Sequence, residues 1–120
     1  MIPESLDRFW NERRVAILAT LRADGTVHQV PVRCMRDGDR FLVLSDSRSV
    51  KVRNVGQSQR ASIAEETSRR WATVEGVAHI STDPDLIAYA RSLYRARHHA
   101  PGVFGDCVMV VEAQRVLHGF

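Results

Sequence analysis

Short apolar segments separated by turn residues recur along most of the chain. Residues 15–21 form an apolar, partly β-branched run, and Asp24-Gly25 separates them from a second strand-like segment, so the two are predicted to form a β-hairpin. Asp37-Gly38-Asp39 then turns the chain into a third apolar run. The segments that follow the first are residues 27–35, 41–44, 60–65, 71–80 and 107 to about 115. The pattern therefore predicts six strands joined mostly by tight turns.

Helical spacing of apolar residues occurs in three other places. Leu6, Phe9 and Trp10 share one face of the first predicted helix, which is short and amphipathic. The predicted helices cover residues 3–13, 49–55 and 82–97. Tightly connected antiparallel strands with few helices are typical of a small barrel. We therefore expect a mainly β fold with flanking helices, a six-stranded antiparallel split β-barrel, and a parallel nucleotide-binding sheet is disfavoured.

Length and composition are those of one compact domain. The 120 residues are 44% hydrophobic and 26% charged, which is ordinary for a globular protein and indicates neither disorder nor a membrane span. We expect a single domain over residues 1–120. Glu4, Asp7 and Arg8 lie where a signal peptide needs an unbroken apolar stretch, so a cytoplasmic location is expected.

Few residues are arranged for metal binding or for nucleophilic catalysis. Cys34 and Cys107 are far apart and form no CxxC pair, so two reduced, mostly buried thiols are expected. His98 and His99 are adjacent, and on a regular element they cannot both face one metal ion. We therefore expect no metal site. A cofactor enzyme shows such a scarcity of acid–base candidates, because the cofactor carries the chemistry.

Lys51 is the only lysine of the chain. It lies where the third apolar run gives way to a helical segment, with Ser45, Ser47 and Ser49 close by. If Ser49 begins that helix, the free N–H groups and the positive end of the helix dipole can bind a phosphate, with charge from Lys51 and Arg48. The alternative is an ordinary capped surface helix with a solvated basic face.

Six short motifs cover most of the chain in a fixed order. They are Ala19-Thr20-Leu21-Arg22-Ala23-Asp24-Gly25-Thr26, Gln29-Val30-Pro31-Val32, Asp37-Gly38-Asp39, Ser45 to Asn54, Arg60-Ala61-Ser62 and Trp71 to Ala78. Their order and spacing over residues 14–115 resemble the pyridoxamine-phosphate-oxidase-like split-barrel flavoproteins. Within that superfamily, the compact length and the sequence Lys51-Val52-Arg53-Asn54 are most similar to the small deazaflavin (coenzyme F420) dependent reductases.

The resemblance implies a homodimer with two cofactor sites at its interface. Ser45, Ser49 and Lys51 match the residues that bind the cofactor phosphate in the family, and Asn54 lies where an amide commonly steadies that loop. Arg53 is a further candidate for the same anionic pocket. Helical geometry places it about 200° around the helix from Lys51, so a solvated role is the alternative.

The second strand and a tryptophan supply the remaining cofactor-binding candidates. Gln29, Val30 and Pro31 match the stretch that borders the flavin-type ring in the family, and a plain barrel strand is the alternative. Trp71 can form a wall of the ring or substrate cavity, contributed from the partner subunit, or it belongs to the core or the subunit interface. Arg95 and Arg97 are candidates to attract the acidic oligoglutamate tail of the coenzyme, or they lie on a solvated helix end.

The resemblance implies an oxidoreductase in which reduced coenzyme F420 donates a hydride to an unsaturated or conjugated small organic acceptor, with no catalytic acid identified. An FMN-binding oxidoreductase or a non-catalytic flavin-binding protein of the same fold is the alternative, because both cofactors carry a phosphate. Oxidation of a vitamin phosphate is not expected, because His118 alone does not supply the arginine and histidine pair of the founding enzyme's C-terminal segment.

Nucleic acid and membranes are not expected partners. The formal net charge of +3 is carried mostly by arginine, which suits an acidic ligand and leaves a nucleic-acid-binding barrel as a distant alternative. The sequence lacks the interleaved aromatics of a stacking platform.

Overall fold

The computed structural model describes residues 1–119. Strands account for most of the regular structure: β1 (Ala16–Leu21), β2 (Val27–Val32), β3 (Met35–Asp37), β4 (Arg40–Ser45), β5 (Arg60–Thr67), β6 (Arg70–Ser81) and β7 (Cys107–Gly119). The helices are α1 (Asp7–Asn11), α2 (Val50–Ser58) and α3 (Pro84–His98), and a 3-10 turn at Glu4–Leu6 precedes α1. No helix within residues 1–119 is long and apolar enough to cross a bilayer.

All of these strands belong to one antiparallel sheet. Its order is β2-β1-β5-β6-β7-β4-β3, so the two edge strands are consecutive in the chain. A sheet whose edges are joined by a short connection must curl until they meet, and the seam between β2 and β3 is where the barrel is split. The predicted mainly β, antiparallel split barrel with flanking helices is confirmed.

The sheet has seven strands where six were expected, because the predicted segment 27–35 bends at Arg33–Cys34. Cys34 is fully buried, and its carbonyl oxygen accepts hydrogen bonds from Arg97 Nη1 (2.6 Å) and lies 3.0 Å from His98 Nε2. Because these two α3 side chains satisfy the carbonyl oxygen, the buried backbone can turn away from the β-sheet hydrogen bonds at this point. Alternation of side chains along the sequence does not reveal such a bend.

The last strand is also longer than predicted. It runs to Gly119 along β6, with a register shift between Glu75 and Gly76. A Cβ at Gly76 would collide with the Glu112 carbonyl oxygen, so only glycine permits the two backbones to approach this closely.

Two apolar clusters hold the layers together. The larger one fills the barrel, and α1 contributes Phe9 and Trp10, both essentially inaccessible to solvent. Trp10 meets Phe41 edge to face with ring centroids 4.8 Å apart. The smaller cluster joins the inner face of α3, including Ala90 and Tyr94, to β3, β4 and β7. The first helix therefore packs on the sheet through its apolar face, and it is shorter than the predicted residues 3–13.

A buried ion pair ties α3 to the barrel. Arg97 Nη2 lies 2.7 Å from Glu65 Oε1 on β5, and Arg97 Nε donates to the Glu12 carbonyl oxygen at 3.1 Å. Burial raises the pKa of Glu65, while the Arg97 charge opposes that shift. Burial likewise raises the pKa of the Cys34 thiol, so this cysteine is an inert thiol at neutral pH. Cys34 and Cys107 are both buried and unpaired, as predicted.

Candidate functional site

A cleft of about 500 Å³ lies beside β2, β4 and the ends of α2 and α3. Its walls are mostly apolar, and of residues 1–119 two cations and no carboxylate line it. The lining residues are Val15, Pro31, Val32, Arg33, Val43, Leu44, Lys51, Tyr94 and Phe104. An apolar cleft with a few fixed polar groups is the usual form of a small-molecule site.

Lys51 connects this cleft to the start of α2, where the sequence predicts an anion site. β4 ends at Ser45, and α2 begins at Val50 with Ser49 in the extended N-cap conformation, as the sequence predicted. The Ser49 side chain makes no capping hydrogen bond, and its Oγ is buried without a hydrogen-bond partner among residues 1–119. A buried, unsatisfied hydroxyl costs free energy unless a ligand completes it.

The loop before α2 is tied down by its own side chains. Arg48 donates from its backbone to Asp46 Oδ1 (2.8 Å) and from Nη2 to Asp46 Oδ2 (3.0 Å), and these bonds hold the Asp46 pKa down at about 2. Asp106 accepts from Ser47 N (2.7 Å) and Ser47 Oγ (2.6 Å). Arg48 and Ser47 are thus engaged within the loop, which leaves Lys51 and Ser49 as the candidates to bind an anion.

These groups fit a phosphate. Lys51 has no carboxylate within ion-pair distance among the described residues, and it lies in the first turn of α2, whose N–H groups lack a side-chain cap. A phosphate there would accept from Ser49 Oγ and from first-turn N–H groups, with Lys51 and the helix dipole supplying positive charge. The helix continues to Ser58, longer than predicted, which strengthens its dipole.

Of the nine predicted cofactor-binding residues, Pro31 and Lys51 line the cleft. Ser49 directly precedes the helix that carries Lys51. Gln29 is exposed on the same side of β2 as Pro31, whereas the Val30 side chain packs against the barrel core. The alternation of β2 therefore divides the predicted Gln29-Val30-Pro31 stretch between its two faces.

The remaining four predicted residues also lie outside the lining of the cleft. Ser45 is buried, and its Oγ donates to the Val43 carbonyl oxygen at 3.1 Å. Asn54 is buried and donates from Nδ2 to Thr20 Oγ1 at 3.1 Å, which ties α2 to β1. Arg53 is exposed on α2, and Trp71 is 43% exposed at the start of β6.

Sequence reasoning missed the opposite wall of the cleft. Arg33 Nη1 donates to Tyr94 Oη at 3.3 Å, and the Tyr94 ring meets Phe104 edge to face at 5.2 Å between centroids. These residues come from the β2–β3 bend, from α3 and from the loop before β7. The one local signal is an aromatic residue, Phe104, in a glycine-rich loop. Arg97, a candidate for the coenzyme tail, is instead buried against Glu65.

A second cleft of about 440 Å³ lies on the face of β1, β5, β6 and β7. Its lining includes Ala19, Leu21, Ser62, Glu75 and Arg115. Along β1 the outward side chains are unusually apolar. Within residues 1–119, no group of three or more His, Cys, Asp or Glu side chains is placed to bind a metal ion.

Comparison with known proteins gives the same grouping from sequence and from structure. The family model described as pyridoxamine 5'-phosphate oxidase matches residues 2–118. An F420H(2)-dependent biliverdin reductase of Mycobacterium tuberculosis (strain CDC 1551 / Oshkosh) is 32% identical over 112 residues, covering 91% of this chain and 82% of that protein.

Two solved structures show how widely the fold is shared. An F420 reductase superposes with a TM-score of 0.78 at 20% identity, covering 97% of this chain and 98% of the other. HupZ from Group A Streptococcus gives a TM-score of 0.78 at 20% identity, covering 98% of this chain and 94% of the other. The match of the family model along nearly the whole chain decides the assignment: this chain belongs to the pyridoxamine 5'-phosphate oxidase family.

Proposed function

We propose that the protein is an oxidoreductase that binds the deazaflavin coenzyme F420 and reduces an unsaturated or conjugated small organic acceptor. The observation that carries this proposal is that two groups suited to a phosphate, the cleft-lining Lys51 and the buried, unsatisfied Ser49 hydroxyl, lie together at the start of α2. The name of the 32% identical relative supports the choice of F420 and of a reductase. It also makes biliverdin, a conjugated molecule, the first acceptor to test.

The residues of the cleft divide the work. Lys51, Ser49 and the first-turn N–H groups of α2 would bind the coenzyme phosphate, and Pro31 with its apolar neighbours would contact the ring and exclude water. When bound in its reduced form, the coenzyme would supply a hydride, and water would supply the accompanying proton. Because no acidic side chain lines the cleft, the protein's own contribution is binding, orientation and electrostatics.

The remaining predicted residues enter the proposal indirectly. Asn54 would hold α2 in place through Thr20, and Ser45 would support the loop that leads to the helix. Gln29 and the backbone of Val30 would border the ring. Arg53 and Trp71 lie outside the cleft, so we propose that they contribute through the second subunit.

We further propose a homodimer. Exposed apolar side chains follow β1 and the residue before it: Val15, Ile17 and Leu21 are at 49%, 43% and 38% of full exposure. Val15 also lines the cleft, so a subunit packed on this face would help to enclose the bound ligand.

Equilibrium binding of the two cofactors tests the proposal. We expect coenzyme F420 to bind tightly and FMN weakly, and Lys51→Ala to reduce F420 affinity by about ten- to a hundredfold, because a charge-assisted contact is lost. Binding is followed by fluorescence and absorbance titration. Lys51→Arg keeps the charge and should retain part of the affinity.

Circular dichroism of the Lys51→Ala variant controls for loss of the fold, which we expect to be intact because Lys51 is only half-buried. Tight FMN binding with no measurable F420 binding would contradict the proposed cofactor and favour the FMN alternative. Unchanged F420 affinity in Lys51→Ala would contradict the proposed phosphate site.

A further inference from the structure

We propose that Arg33 and Tyr94 form a carboxylate-binding subsite in the cleft, and that the acceptor therefore carries a carboxylate. This inference rests on the proposed function and specifies its class of substrate. It assigns to Arg33 the role of a specificity-determining residue, separate from the phosphate corner on α2.

The first observation is that most hydrogen-bond donors of the Arg33 guanidinium have no protein acceptor among residues 1–119. It lines the cleft and donates at 3.3 Å to the neutral Tyr94 hydroxyl, and no carboxylate of residues 1–119 lies within ion-pair distance of it. Arg40 and Arg97, by contrast, are each paired with a carboxylate. A guanidinium presents several N–H donors in a planar fork, so most of those of Arg33 remain available.

The second observation is that this guanidinium is presented from a fixed backbone. Arg33 immediately precedes Cys34, whose carbonyl oxygen is held by Arg97 and His98. Tyr94 is 4% exposed, and its ring contacts the His98 ring at 4.9 Å between centroids. A donor set whose supports are already locked loses little freedom when a ligand binds.

The third observation is the charge of the cleft. Arg33 and Lys51 are its charged lining residues, and no Asp or Glu faces them there. Lys51 belongs to the corner that fits a phosphate, so Arg33 is left as a second positive group. The planar fork of arginine matches a carboxylate in bidentate geometry better than the point charge of lysine does.

The surroundings of Arg33 favour the acceptor over the coenzyme's own acidic tail. Val15, Val32 and Phe104 form an apolar part of the wall of the same cleft, and the Phe104 ring packs edge to face on Tyr94, the hydrogen-bond partner of the guanidinium. Such a wall suits a carboxylate carried by a flat, apolar body. An oligoglutamate tail is polar along its length, so contact with this wall would take its polar groups out of water without a hydrogen-bond partner.

Matched probes test this subsite by binding alone. Biliverdin carries free carboxylates, and biliverdin dimethyl ester has the same conjugated body without their charge. We expect the wild-type protein, saturated with oxidised coenzyme, to bind the diacid at least about tenfold more tightly than the diester, as followed by tryptophan fluorescence. Arg33→Gln should abolish that preference while leaving diester affinity unchanged.

The control variant is Arg69→Gln, which removes the same charge from the exposed β5–β6 turn and should keep the preference. Tyr94→Phe should weaken the preference, since Arg33 then loses the contact that orients it. The proposal is overturned if the wild type shows no preference for the diacid, or if Arg33→Gln retains it.

A second arm separates the two sources of carboxylate. Coenzyme F420 and a phosphorylated deazaflavin that lacks the oligoglutamate tail are titrated against Arg33→Gln. Unchanged affinity for both supports the acceptor subsite. Selective weakening of the tailed form would overturn it by assigning Arg33 to the tail. Lys51→Ala reports separately on the phosphate site, so failure of the proposed cofactor is distinguishable from failure of this subsite.

Discussion

The Ser49 side chain is unfavourable for the stability of the ligand-free protein. A serine at a helix N-cap normally accepts a hydrogen bond from the first turn, but here no such bond forms and the buried Oγ has no partner among the described residues. A group of this kind is retained where binding, rather than folding, uses it.

Ser49→Ala should therefore change stability and binding in opposite directions. We expect the free energy of unfolding of the ligand-free protein to rise by about 1 kcal/mol, because an unsatisfied polar atom is removed and no capping bond is lost. Affinity for the phosphorylated coenzyme should fall by about tenfold. Urea unfolding and coenzyme titration measure the two effects.

Ser47→Ala is the informative comparison, because the Ser47 hydroxyl already donates to Asp106 and its removal should lower stability. If Ser49→Ala instead destabilised the protein as Ser47→Ala does, Ser49 would be an ordinary structural serine.

Sequence alone predicts some residues of the candidate site and misses others that line the same cleft, for a physical reason. Lys51 and Ser49 are local in the chain, and their identity within a strand-to-helix transition was enough to predict an anion site. Arg33 and Tyr94 are distant in sequence and meet through the bend between β2 and β3. Nothing in the spacing of either residue records that meeting.

At the scale of elements, α3 packs on β3, β4 and β7, and its C-terminal end binds the β2–β3 bend. Arg97 connects three segments: the turn after α1, the β2–β3 bend and strand β5. Helical spacing predicted α3 well, since an amphipathic pattern is sufficient for that. The bend was not predicted, because the interaction that produces it comes from a charged residue that sequence patterns place in solvent.

Removing one partner of this buried ion pair should be costly. Arg97→Met leaves the Glu65 carboxylate without its main partner, and we expect it to lower the free energy of unfolding by about 3 kcal/mol. Arg14 Nε, 3.4 Å from Glu65 Oε1, limits the loss. Chemical denaturation of Arg97→Met, of Glu65→Leu and of the double variant provides the measurement.

The combination of Arg97→Met with Glu65→Leu should recover part of that loss, since no buried charge then remains unpaired. If the losses from the two substitutions were additive, Arg97 would act through the hydrogen bonds from its side chain to the Glu12 and Cys34 carbonyl oxygens. The charge of Glu65 would then contribute little.

For the whole molecule, the exposed apolar residues of β1 bear on assembly. Ile17 lies at the centre of this row, and in the proposed dimer Ile17→Asp would bury a charge at the interface. We expect the variant to be monomeric while the wild type is dimeric, as measured by light scattering coupled to size-exclusion chromatography.

Val103→Asp adds the same charge to a loop residue that is 77% exposed, and it should leave the dimer intact. A monomeric wild type would refute the proposed assembly. It would also leave no second subunit through which Arg53 and Trp71 could reach the cleft.

The closing of the sheet upon itself has a consequence for solubility. Of its two margins, β3 has only three residues, and Pro31 removes one backbone donor from the other, β2. Neighbouring molecules therefore find few free donors and acceptors for intermolecular strand pairing, the step that seeds amyloid-like aggregates. Pro31, which we propose to border the ligand, thus also lowers the capacity of this edge strand to pair with another molecule.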